Sequence, residues 1–245
     1  MRASARLVAE LVDGRTRCTT LQSQPPLTFR QNPTGLMWVA TAAGPVGGDD
    51  LRLDLRVEAG AALDVASAGA SIVLPGAGGE RSQSRLDVVL ACRSSLVWHP
   101  EPAVLAADAN HLASTSIVLG AEADLVWVDE LVLGRHAEVP GRLTSQLMVT
   151  TVAGRPVLRT GLDIGGPGWD GPAVTDGRRG HAHIVLAGHP AERWRTSTRV
   201  CRPFVEVEWT SAELTGGVEL VTLIGREPRH VRAAATAVAG WVSAR

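Results

Sequence analysis

From Leu51 to Glu58 the chain alternates without a fault: Leu51, Leu53, Leu55 and Val57 are aliphatic, and Arg52, Asp54, Arg56 and Glu58 between them are charged. Side chains on a strand point to opposite faces at period two, so the segment makes a strand with one buried and one solvated face. Wound as a helix, it would scatter both kinds of residue around the whole surface. The turn ahead of it, Gly44-Pro45-Val46-Gly47-Gly48-Asp49-Asp50, is dense in glycine. Glycines there are expected where the backbone takes positive φ or approaches another segment closely. The turn sets one carboxylate, Asp49, beside the start of a half-buried sheet.

A weak internal repeat extends this pattern. Ala59–Val65, Ala91–Trp98 and Ala121–Trp127 each follow a strand, pass through small turn residues and restart with leucine; Leu63, Leu96 and Leu125 lie 33 and 29 residues apart. A period of this size indicates stacked strand–turn–strand units, a β-solenoid or a stacked two-sheet sandwich, although a meander of hairpins gives a similar pattern. Further short strands are predicted over Ser116–Leu119, Leu125–Leu133, Leu143–Val152, Pro156–Ile164, His183–Ala187, Phe204–Trp209 and Val218–Ile224, with a hairpin turn at Ala153-Gly154-Arg155. Gly165–Gly180, with six glycines and two prolines, reads as a mobile surface loop, and Ala103–Ala113 is ambiguous between helical turn and loop. One helix closes the chain: Pro228 suits its first turn, and Val231, Ala234, Ala235, Val238, Trp241 and Val242 form one apolar face. That face docks on its own domain or on a partner, with Val231, Val238 and Trp241 as the partner-binding candidates. The chain is therefore expected to be mainly all-β, β-helix-like or two-layered, with few helices.

Composition narrows the function. The 245 residues allow one large all-β domain or two small ones, and an apolar content of 45% is ample for a core. A net charge of −1 gives no case for nucleic acid or an anionic membrane, and all 24 basic side chains are arginine. Tyrosine is absent, so stacking platforms for bases or sugars are scarce. Cys18, Cys92 and Cys201 are far apart and form no CxxC pair, which indicates neither a thiolate zinc site nor a disulfide framework. With no signal-peptide pattern and no 18-residue apolar run, the chain reads as soluble and cytosolic.

Three acids stand out. Asp49 follows the glycine turn; Glu101 sits between Pro100 and Pro102 at a strand end; Asp129 interrupts an apolar strand on the face of Leu131 and Leu133. A carboxylate on a core-like face is costly unless paired, hydrated or metal-bound. Singly, each is explained by a turn cap or an ion pair with arginine. His181 and His183 share a strand face, with His189 further on, but nothing completes a metal set, so a satisfied surface pair is expected; His99 beside Glu101 is a better candidate. No catalytic motif such as G-x-S-x-G, P-loop or H-E-x-x-H occurs.

Read in order, these segments resemble the urease accessory family UreD, called UreH in some lineages. The resemblance rests on Pro26-Leu27-Thr28-Phe29-Arg30, the turn Ala43–Asp49, Val57-Glu58-Ala59-Gly60-Ala61, Gln83 to Val88, Trp98-His99-Pro100-Glu101, and Leu133-Gly134-Arg135 preceded by Asp129. The chain departs from the family pattern in Ala42-Ala43 for Pro-Pro, in Ser71–Pro75, in Glu138-Val139-Pro140-Gly141, and in lacking the P-R-x-W tail. The resemblance implies a single domain over 1–245, with a strand stack over 1–225 and a helix over 228–244. It implies a cytoplasmic, non-enzymatic scaffold that binds UreF, through it the GTPase UreG, and the urease apoprotein, as a dimer in the accessory complex. Such proteins are thought to pass nickel through an internal water-filled passage, holding no tightly bound cofactor. Asp49, Glu101 and Asp129 carry over as passage-lining candidates, since sparse carboxylates replace part of the hydration shell of Ni²⁺ and still release it. A carbohydrate-active β-solenoid enzyme using two of these acids, or a purely structural tether, are the alternatives.

Overall fold

The computed structural model describes residues 1–32, 35–197, 204 and 206–243. Cys201, Val205 within the strand expected over Phe204–Trp209, and Ala244 at the end of the expected helix lie outside them. Strands β1 (Arg2–Val12) and β2 (Arg15–Ser23) form a hairpin, and β3 (Leu27–Asn32) with β4 (Gly35–Ala40) a second. The chain continues through β5 (Asp50–Val57), β6 (Ala62–Ser67), β7 (Ser71–Val73), β8 (Ser82–Leu90), β9 (Ser95–His99) and β10 (Ala103–Leu105). Next come β11 (Asn110–Leu119), β12 (Asp124–Leu133), β13 (Arg142–Thr151) and β14 (Pro156–Ile164). It ends with β15 (Gly180–Ala187), helix α1 (His189–Ser197), β16 (Val207–Glu213), β17 (Glu219–Gly225) and helix α2 (Pro228–Ser243).

These strands make two facing sheets, ordered β14-β13-β11-β8-β5-β1-β2 and β16-β17-β15-β12-β9-β6-β4-β3, with β10 and β7 attached beside β12. From β5 to β13 the chain coils from one sheet to the other and back, so β5, β8, β11 and β13 are parallel neighbours, as are β6, β9 and β12. The leucine repeat is this coiling: Leu63 pairs with Leu96, and Leu96 with Leu125. The turns stack likewise. The Gly60 N–H donates to Cys92 O at 3.2 Å and the Arg93 N–H to Ala121 O at 2.9 Å. Gly60, Arg93 and Glu122, at the same place in successive coils, take φ of 71°, 55° and 55°. At the opposite end, Gly47 lies where a Cβ would come within 2.3 Å of the Gly76 backbone nitrogen, so the coil crossing there admits only glycine.

Alternation then sets the core. Leu51, Leu53, Leu55 and Val57 point between the sheets, where they meet Leu63, Leu96, Leu125 and their neighbours. Phe29, Trp38, Trp98 and Trp127 run across the second sheet as an aromatic ladder, with ring centroids 5.9, 6.5 and 4.9 Å apart. The outer face of that sheet, Val126, Val128, Ala182, Ile184 and Val221, is covered by α1 and α2.

Several expectations need correction. Ala103–Ala113 forms β10 and the start of β11. Gly165–Gly180 is, as expected, a mostly exposed run of turns ahead of β15, pinned where the buried Thr175 hydroxyl donates to Trp169 O at 3.0 Å. Val231 and Val238, offered as partner-binding residues, are 2% and 0% exposed and pack on the protein's own sheet, each burial worth roughly 1.5–3 kcal/mol. Trp241 is half-buried against Trp194, with centroids 6.3 Å apart.

Candidate functional site

The parallel register brings Leu51, Ser84, Ala113 and Ser145 into one inward-facing row across the first sheet. Serine and alanine there are too short to span the gap between sheets that are about 10 Å apart. The result is a cavity of ≈ 170 Å³ whose walls run from Gly44 and Pro45 of the glycine turn to Pro100 and Glu101. That volume accommodates several waters. The indole N–H of Trp127, another wall, is buried with no partner among the described residues, as suits a hydrated interior.

Strand β12 supplies the chemistry. Trp127, Asp129 and Leu131 share its inner face, and the antiparallel ladder with β15 sets Asp129 opposite His183 and Leu131 opposite His181. Asp129 is enclosed by protein and still accessible, because what it faces is the cavity. On its other edge β12 pairs with β9 as far as Trp127↔Trp98 and with β10 from Leu131↔Ala103. The ladder lapses between those points, beside Val128, Asp129 and Glu130, where Pro100 and Pro102 have no N–H to give.

Burial governs the ionisation of this interior. It pushes the Asp129 carboxyl up to about 6, helped by the nearby Glu130 charge. It pushes His183 down to about 4, His181 down to about 3 with help from His183, and His111 down to about 4 with help from Arg81. His111 bridges Ser82 Oγ at 2.8 Å and Ser84 Oγ at 3.0 Å, one to each ring nitrogen. At pH 7 the Asp129 carboxylate and these neutral imidazoles thus face the cavity, which Glu101 and Glu130 also line, a set of lone pairs suited to a borderline divalent cation. Among the described residues no three His, Cys, Asp or Glu side chains converge closely enough to clasp a metal ion.

The same shifts fix a pH dependence. The three imidazoles have folded values below their unfolded ones, so they stabilise above pH 6.5 and lose that contribution as pH falls towards 4. Asp129, raised from 3.8 to about 6, acts oppositely, stabilising below pH 4 and losing that contribution as pH rises through 6. The imidazoles win: unfolding at pH 5 is expected to take up about two protons, so urea midpoints should fall between pH 7 and pH 5. A flat or rising midpoint over that interval contradicts the buried, neutral state of these rings.

The expected site residues divide. Glu101 and Asp129 reach the one cavity. Asp49 does not: its carboxylate accepts the N-terminal ammonium at 2.7 Å and the Val46 N–H at 2.8 Å, capping the glycine turn from behind. His181 and His183, expected at the surface, are cavity walls, while His189 is exposed and pairs with Asp124 at 3.1 Å. Missed altogether was Glu130, whose side chain is 3% exposed, borders the cavity and turns towards α2. It accepts from Arg232 of α2 at 2.5 Å, and Arg232 also holds Glu101 at 2.6 Å. A charged pair, Asp129-Glu130, inside an apolar strand was the available signal.

Comparison with known proteins bears on the whole chain. A family model described as UreD urease accessory protein matches residues 1–245. A Urease accessory protein UreD of Streptomyces avermitilis is 38% identical over 237 residues, covering 92% of this chain and 87% of that protein. One of Streptomyces coelicolor is 35% identical over 245 residues, covering 95% and 93%. One of Parafrankia sp. is 38% identical over 215 residues, covering 77% and 72%.

Proposed function

The chain belongs to the UreD family of urease accessory proteins, and from that premise we propose that it is a non-catalytic scaffold through which Ni²⁺ passes on its way into the urease apoprotein. The observation that carries this reading is Asp129, an acid with no hydrogen bond or ion pair among the described residues, facing a mainly apolar cavity between the sheets. An ionisable group kept inside at a cost to stability marks a functional position more often than a structural one. A passage needs ligands that replace some hydration and then let go, and scattered carboxylates with neutral imidazoles meet that need where a converging set would trap the ion. In this reading the protein works in the cytoplasm, as a dimer, bound to UreF, with UreG recruited through UreF and urease as the recipient.

Ala113 is the point at which to test the passage. It lies between Ser84 and Ser145 in the row of small residues, so Ala113→Phe fills the void with little of the cost of overpacking a full core. Co-expressed with urease and the other accessory proteins, the variant is expected to lower urease specific activity and nickel content roughly tenfold while pull-down of partners is unchanged. Full activation with the cavity blocked would leave only the tethering role.

A further inference from the structure

The chamber between the sheets is bordered by two polar groups of opposite hydrogen-bonding sense. The Trp127 indole N–H is a buried donor, and the Asp129 carboxylate is an acceptor, ionised at pH 7; neither has a partner among the described residues. They belong to one face of β12, two residues apart, which puts their Cα atoms roughly 7 Å from each other. The walls around them are aliphatic and aromatic: Leu86, Leu131 and Leu162 from three different strands, and the rings of Trp38 and Trp98. A cavity of about 150 Å³ with walls of this kind takes up benzene from water. This one measures ≈ 170 Å³, so a single aromatic ring fits it.

We infer that the cavity is a binding site for a small uncharged azole, a flat ring that carries both an N–H and a ring-nitrogen lone pair. The lone pair accepts from the Trp127 N–H and the ring N–H donates to Asp129, so one ligand satisfies both groups while its faces lie against apolar walls. Charge selects the class. An anion would meet the carboxylates of Asp129, Glu101 and Glu130, all of which line the cavity. An organic cation would give up its hydration for mainly aliphatic and aromatic walls, at a large cost. A plain hydrocarbon would fill the space and leave both polar groups unpaired. Water serves those groups but gains nothing from the apolar walls, from which a ring releases it. The site stands on the void and its two unpaired groups, independently of ion transit; where ions use the same chamber, an occupant closes it to them.

The test is a nuclear magnetic resonance titration of the metal-free chain at pH 7 with pyrazole, isoxazole and pyrrole, three rings of nearly one size. Pyrazole has both the donor and the acceptor, isoxazole lacks the N–H, and pyrrole lacks the lone pair. Pyrazole is expected to bind roughly tenfold or more tighter than either and to shift one indole N–H signal, identified as Trp127 by its loss in Trp127→Phe. In Trp127→Phe the preference for pyrazole over pyrrole should disappear, and in Ala113→Phe all three rings should lose binding. Equal affinities for the three rings in wild type overturn the proposal, as does pyrazole binding that leaves the Trp127 signal unmoved or survives the filled cavity. If Ala113→Phe does not fold, Ser145→Leu, in the same row of small residues, takes its place under the same criteria. A failure of transit alone would show as full urease activation by Ala113→Phe, with the pyrazole preference of the wild type intact.

Discussion

Asp129→Asn is expected to reduce urease activation roughly tenfold or more, equivalent to about 1.4 kcal/mol on the barrier to transit, without loss of fold or partner binding. The substitution keeps shape and removes the one charge on the inner face of β12 beside His183. In wild type that charge costs stability, because burial and the Glu130 charge both oppose its ionisation. Removing it breaks no hydrogen bond or ion pair among the described residues, so the variant should be at least as stable at pH 7 as the wild type. Loss of activation in a protein of undiminished stability would separate a role in conduction from one in architecture. Specific activity and nickel per urease active site, measured after co-expression, decide it. Activation equal to wild type would remove Asp129 from any ion path.

Trp127→Ala carries the largest expected cost to stability, about 3–5 kcal/mol in urea unfolding. Trp127 is 1% exposed and stacks on Trp98 at 4.9 Å with the rings 7° from parallel. Truncation would empty the centre of the aromatic ladder and enlarge the adjoining cavity, whose cost grows with the volume left unfilled. Trp127→Phe should cost much less, since it keeps an aromatic face against Trp98 and deletes an indole N–H that has no partner among the described residues. Similar losses for both substitutions would mean that the indole N–H contributes more than the packing.

Legibility in the sequence followed the physics of each signal. The alternation at 51–58 stated its own burial pattern, and the leucines at 63, 96 and 125 announced the coil because parallel in-register stacking repeats the same environment at the same place. The terminal helix was equally plain, with Val231, Ala234, Ala235 and Val238 on one face. What failed was quiet or non-local. Ala103–Ala113 forms strands from alanines that carry no strand preference, held by parallel neighbours on both sides. Strands β1 to β4 were not anticipated: β1 alternates over Arg2–Leu7 but with small alanines as its inward residues, and β2 to β4 lack the clean alternation of β5. His181 and His183 could be placed on one face but not inside, since only the pairing with β12 turns that face to the cavity. Asp49 was an acid in a conspicuous motif whose work is to cap a turn. Glu130 and Arg232 are 102 residues apart, and nothing local joins them.

The coiled path has a temporal consequence during synthesis. Each rung needs only the rung before it as a template, some thirty residues back, so a nascent chain can accrete turn upon turn as it leaves the ribosome. Helix α2 comes after all of those rungs, so the outer face of the second sheet, which it covers, stays bare until residues 228–243 have emerged.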